Sequence, residues 1–216
     1  MRELGYVEGK NIIIEYRFAE GKEERLREFA AEFVSSKFDI IITAANATIA
    51  KNATKTIPIV FAAISDPVVT GIVASLAQPG GNLTGLTVMA PELSGKRLEL
   101  LKEAFPRVNR VAFLWNPSSA GDLVLLKETE AAARVLGLQV QSLEIRSVND
   151  FDSAFATATR EVVHALTMTL NPFINTYRPR ILEFVASNRL PAIYGVPDMV
   201  EAGGLMSYGP DYGEHF

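Results

Sequence analysis

The chain is 216 residues long with 48% hydrophobic and 21% charged residues, enough for one large α/β domain or two small lobes and too apolar for disorder. Its 25 acidic and 21 basic residues are interspersed and sum to a net charge of −4, so nucleic acid and anionic membranes are not expected partners. It has no cysteine and only two histidines, His164 and His215, which excludes disulfides, thiolate metal sites and cysteine-dependent catalysis and leaves histidine-based chemistry short of parts.

Taken in order, the segments alternate in period. Residues 11–18 (NIIIEYRF) read as a strand, being rich in β-branched and aromatic residues. Over 22–36, Leu26, Phe29, Ala30, Phe33 and Val34 form a helical stripe. A strand at 39–43 leads to a short helix capped by Asn46. Residues 57–63 are a strand, and after Asp66-Pro67 a helix is expected with Val69, Ile72, Val73 and Leu76 on one face. The turn Pro79-Gly80-Gly81-Asn82 precedes a strand at 83–89. From Pro91 the rhythm restarts: helix 93–105, strand 110–115, helix 120–136 ended by Gly137, strand 139–145, helix 150–163, strand 165–170, helix 176–188, strand 191–195 and a last strand at 205–208.

Strands alternating with helices mean βαβ units: an α/β fold of two Rossmann-like lobes with parallel sheets flanked by helices. The expected division is a lobe at 1–90, a lobe at 91–200, and a crossover at 201–216 that returns to the first lobe. In such sheets ligands sit at the carboxyl ends of strands and at helix N-termini. Those ends are Thr43–Asn46, Ala62–Asp66, Asn116–Ser119, Asn171–Asn175 and Gly195–Asp198.

No nucleophile elbow, phosphate loop or dinucleotide fingerprint occurs, and both histidines are poorly placed to serve as a base, so the chain does not read as an enzyme. No cofactor and no metal are implied. Asp66 follows an apolar strand and precedes Pro67; it reads either as a helix cap alone or as a cap that also touches ligand. Trp115, the only tryptophan, reads as a core aromatic or as the aromatic wall of a cleft. Asp66 and Asp198 are the acids at these ends, and Asp66 is the expected partner of a ligand ammonium, with helix N-termini near Asn46 and Ser118 expected to hold its carboxylate.

The runs LRELGYVEGKNIIIEYRFAEG, IPIVFAAISDPVVTGIVASLAQPGGNLTGLTV, RVAFLWNP and LPAIYGVPDMVEAGGLMSYGPD resemble the ABC-transporter substrate-binding proteins of the tryptophan/tyrosine type, which have the type-1 periplasmic binding fold. The resemblance extends from Leu4 to about Asp211. It implies a two-lobed receptor that closes around a small solute, often an aromatic amino acid or related compound, and presents it to permease subunits in the membrane. It also implies a periplasmic or lipid-anchored extracytoplasmic location, although no signal peptide stands at Met1. Carried over by position, the first-lobe ligand loops fall on Thr43, Ala44, Asn46 and Asp66, and the second-lobe loops on Asn116, Asn171 and Tyr194, with Trp115 beside them and Tyr208 near the hinge. Relatives usually carry Asp where this chain has Asn171. They also begin with a signal peptide and a further strand and continue past the SYGPD run, so both ends of this chain read as cut. Two other readings remain: the cytosolic effector-sensing core of a transcription regulator, and an inactive fragment of the binding protein.

Overall fold

The computed structural model describes residues 2–20, 22–43, 47–64, 67–87 and 90–210. After a 3-10 turn at Arg2–Leu4, the first part of the chain forms α1 (Glu23–Ser35), β1 (Ile41–Thr43), α2 (Ala47–Ala53), β2 (Ile59–Ile64) and β3 (Leu83–Thr87). The second part forms α3 (Ala90–Ala104), β4 (Arg110–Trp115), α4 (Ala120–Leu136), β5 (Gln139–Glu144), α5 (Asp150–Arg160), β6 (Ala165–Met168), α6 (Pro172–Thr176), α7 (Arg178–Ser187), β7 (Ala192–Tyr194), α8 (Asp198–Glu201) and β8 (Met206–Ser207). Two parallel sheets result, ordered β1-β2-β3 and β5-β4-β6-β7-β8.

The strand sequences explain the burial. In β4 the run VAFLW is buried on both faces, as a central parallel strand between two helical layers must be. Leu114, Leu166, Ile145 and Phe151 meet Ile174, Ile181 and Met199 in one apolar cluster, and Leu98, Leu101, Val111 and Ile193 lie in a second. The first sheet has a smaller core, built on Ile41, Ile59, Phe61, Ile72, Val73 and Leu83. Four helices end alike. Behind α1, α4, α5 and α7 the residues Lys37, Gly137, Val162 and Arg189 adopt positive φ (55°, 66°, 51° and 52°). The residue after each donates its N–H five positions back, which closes the last turn.

Several expectations change. Residues 11–18 form no strand; their one bridge among the described residues joins Glu8 to Ile12. A strand is made by its ladder as much as by its residues, and here Ile13 is 80% exposed and Phe18 71%. Arg17 instead ties the segment to α1 through Glu32, at 2.6 Å, and holds that carboxyl below its usual range through this hydrogen bond. No helix follows Pro67: the chain turns, with Gly71 at φ 69° and the N–H groups of Ile72 and Val73 both donating to the Pro67 carbonyl. Only Ile72 and Val73 of the expected stripe are buried, while Val69 and Leu76 face solvent. The helix expected at 176–188 is α7, and a further short helix, α6, precedes it, the two meeting at Tyr177. Finally, β8 pairs in parallel with β7, Ile193 opposite Met206 and Tyr194 opposite Ser207. The expected crossover from residue 201 therefore does not leave the second sheet before Ser207, because this short strand finds its ladder on the exposed edge of β7.

Candidate functional site

A parallel sheet opens a crevice at the carboxyl ends of its strands where the strand order reverses, because connections there run to opposite faces. In the second sheet β4 leads first to β5 on one side, and the chain then continues as β6 on the other. The reversal lies between β4 and β6, so the segments just after Trp115 and Met168 border the crevice.

One side chain joins those segments. Asp122, in the first turn of α4, is 5% exposed. Its Oδ2 accepts from the Asn116 N–H at 2.9 Å and from the Thr169 hydroxyl at 2.8 Å, and its Oδ1 accepts from the Ser119 hydroxyl at 2.9 Å. Ser119 caps α4 by accepting from the Asp122 N–H at 3.2 Å. Burial pushes the Asp122 carboxyl up, opposed by the hydrogen bonds from Asn116, Thr169 and Ser119 and by a smaller contribution from the Asn171 side chain. A buried charge survives only with such compensation.

The flanking turns are ordered by their own amides. Asn116 Oδ1 accepts from the Ser118 N–H at 2.9 Å, and Asn171 Oδ1 accepts from the Phe173 N–H at 3.0 Å to cap α6. Both residues are half-buried. Thr169, buried itself, donates its N–H to the Leu114 carbonyl at 3.0 Å. The wall is thus polar, partly open and fixed from beneath.

The structure sorts the sequence-derived residues. Asn116 and Asn171 come together around Asp122. Trp115 is a core aromatic: 6% exposed, it packs with Phe113, Leu125 and Leu126, and its indole N–H donates to Ser142 Oγ at 2.7 Å. Tyr194 is also core, fully buried, its hydroxyl without a hydrogen-bond partner and its phenol pushed up to about 12 by burial. Tyr208 lies next to it at the sheet edge, its N–H donating to the Tyr194 carbonyl at 2.8 Å and its own carbonyl accepting from buried Arg97 at 3.1 Å. Thr43 is half-buried at the end of β1, opposite Phe61. Ala44, Asn46, Asp66 and His215 lie outside the described residues. His164 precedes β6, at the end of the sheet remote from Asp122. The Asp122 carboxylate lies in the first turn of α4, close to the N-terminus near Ser118.

Ser119 falls in the strand end Asn116–Ser119 expected to border ligand, whereas Asp122 and Thr169 lie outside every expected site segment. The one available signal was the spacing Ser119-x-x-Asp122, a capping box without its usual Glu or Gln. Its carboxylate reaches past the cap to Asn116.

A doubly wound parallel sheet with a polar wall at its reversal point, beside a smaller parallel sheet, is the type-1 periplasmic binding architecture. The family model for ABC transporter substrate binding proteins matches residues 1–215, and the chain belongs to that family of extracytoplasmic binding proteins. It is 29% identical over 215 residues to the tyrosine-binding protein of Clostridioides difficile (strain R20291), covering 98% of this chain and 61% of that relative. The chain thus spans about three-fifths of the length of the curated relative it matches. An ABC domain from Streptococcus pneumonia, solved in complex with L-Trp, is similar with a TM-score of 0.89 and 28% identity over 97% of this chain and 70% of that one. A conserved domain protein of Vibrio cholerae gives a TM-score of 0.91 at 28% identity, covering 99% and 72%. Among the described residues no helix is long and apolar enough to cross a membrane.

Proposed function

We propose that this chain is the solute receptor of an ABC importer outside the cytoplasm, periplasmic or lipid-anchored. It takes an aromatic or other amino acid, or a close chemical relative, between the lobe of residues 1–90 and that of residues 91–200, and delivers it to permease subunits. The observation that carries this reading is the polar wall at the β4/β6 reversal, in a chain related over almost its whole length to a tyrosine-binding protein and to a domain solved with L-Trp. The wall suits binding rather than catalysis, since both oxygens of its buried carboxylate accept internal donors. In this reading Asn116 and Asn171 face the solute from the second lobe, and Asp66 of the first lobe meets its ammonium.

Thermal unfolding with each of the twenty amino acids tests the proposal. A ligand present at 100 times its Kd adds about 2.7 kcal/mol to stability, a rise in Tm of roughly 5–10 °C for a chain of this size. Tryptophan, tyrosine or leucine should produce it. No rise with any amino acid at about 1 mM would refute the reading.

A further inference from the structure

Thr169, Asn116 and Ser119 come from three separate places: the exit of β6, the exit of β4 and the cap of α4. Each sends a donor to one carboxylate. The Thr169–Asp122 bond spans 47 residues of sequence and is buried at both ends. It joins the two turns that flank the reversal point, just past the last β4–β6 pair, Leu114–Met168, and the backbone bond from the Thr169 N–H to the Leu114 carbonyl. We propose that Asp122 is a positioning residue. It locks the Asn116–Ser119 turn and the Thr169–Asn171 turn into a single solute-facing wall, without itself touching the solute.

Three observations support the assignment. At 5% exposure Asp122 presents almost no surface, so its effect must pass through the groups that it holds. Both of its oxygens are used, and Oδ2 takes two donors from different strand ends, so loss of one leaves the other without its geometry. The other links between the turns run through the same carboxylate or the strand end: the Asn171 side chain adds a smaller hydrogen bond to Asp122 and the Thr169 N–H donates to the Leu114 carbonyl, while the Asn116 and Asn171 carbonyl oxygens are spent within their own turns, on Ser118 and Phe173. Charge-assisted hydrogen bonds are short and directional, which is what a wall needs to hold its amides to a fraction of an ångström. The solute-facing part of this inference rests on the receptor reading above; the lock does not.

Hydrogen exchange of the Asn116 amide and L-tryptophan affinity by calorimetry, both on the full chain, separate the two. Asp122→Ala should speed exchange of the Asn116 N–H by about a hundredfold and weaken L-tryptophan by at least about tenfold. Because that variant leaves three donors without their carboxylate, Thr169 among them buried, and so can misfold, Thr169→Val is the second arm. It should speed the same exchange and weaken binding by about tenfold, at a temperature where unfolding curves show the protein fully folded. Thr169→Ser keeps the hydroxyl and should restore both to within about twofold. A general loss of stability would raise exchange throughout the β4 and β6 ladders, not at Asn116 in particular, and would leave the affinity of the folded fraction unchanged. A folded Thr169→Val or Asp122→Ala chain with native Asn116 exchange overturns the lock. Native affinity with raised exchange overturns the positioning role. A wild-type chain that binds no amino acid refutes the receptor reading instead, and exchange alone then decides the lock.

Discussion

Tyr194 offers a clean separation of core from site. Its ring is fully buried against Met199 and the Gly204 backbone, and its hydroxyl has no partner. Burying an unpaired hydroxyl costs about 1–3 kcal/mol relative to leaving it in water. Tyr194→Phe removes that cost and leaves a void of one oxygen, which at the usual dependence on cavity volume returns only a few tenths of a kcal/mol. A net gain of about 1 kcal/mol follows, or roughly 2–4 °C in Tm for a chain of this length. The pH dependence sharpens the test. With the native phenol pushed up to about 12 against an ordinary 10, the unfolded state loses its proton first as the pH rises. Stability of the native chain therefore falls between pH 10 and 12, by up to about 1.4 kcal/mol per pH unit, and the Phe variant escapes that fall. Urea unfolding at pH 7 and at pH 10.5, with L-tryptophan affinity measured in parallel, gives the answer. Lower stability at pH 7 would mean that the hydroxyl is satisfied in solution. A tenfold loss of affinity would return Tyr194 to the solute site.

Two further substitutions probe the backbone. A Cβ on Gly209 would lie 1.9 Å from the Gly195 carbonyl oxygen, so Gly209→Ala must push the chain beyond β8 off the end of β7; we expect a loss of about 2–4 kcal/mol in urea unfolding, and a change under about 0.5 would refute the close approach. Val162 is β-branched, exposed and at φ 51°, so Val162→Gly should raise stability by about 1 kcal/mol; a loss would show that its side chain is needed against the α5 terminus.

What could be read in advance follows from whether a signal is local. Helix α4 runs over the residues expected because Ser119, the apolar stripe and Gly137 all act within a turn or two of its ends. The αL closures at Lys37, Val162 and Arg189 carry no glycine and so gave no sign, although their hydrogen bonds repeat those at Gly137. The run NIIIEYRF has every side-chain preference of a strand, but preference does not supply a neighbour, and the segment lies against α1 through Arg17 instead. Trp115 is a candidate because it is the only tryptophan and ends a strand, and Tyr194 because the family resemblance implies it. Which way an end residue points depends on the pleat, and here both point into the core. Asp122 was overlooked for the opposite reason. An acid in the first turn of a helix is ordinarily a solvated residue that suits the dipole, and here it is buried and bonded to Thr169, 47 positions away, which no local pattern reveals.

The two halves of the chain differ in how much of a binding surface they hold in advance. The second sheet has five strands, large apolar clusters on its flanks, and a wall whose donors are pinned by Asp122. The first has three strands and a smaller core, and leaves Ile13, Phe18, Ile40 and Ile42 exposed. Affinity for a small solute is set by what remains after ordering costs, and groups held in place before the encounter contribute without further loss of freedom. In the receptor reading proposed above, that argument makes the second lobe the preorganised partner, which would set the polar atoms that the solute must satisfy. On the same reading, substitutions that loosen its wall would act on dissociation more than on encounter, because encounter depends on access and dissociation on how well the amides of Asn116 and Asn171 keep their places.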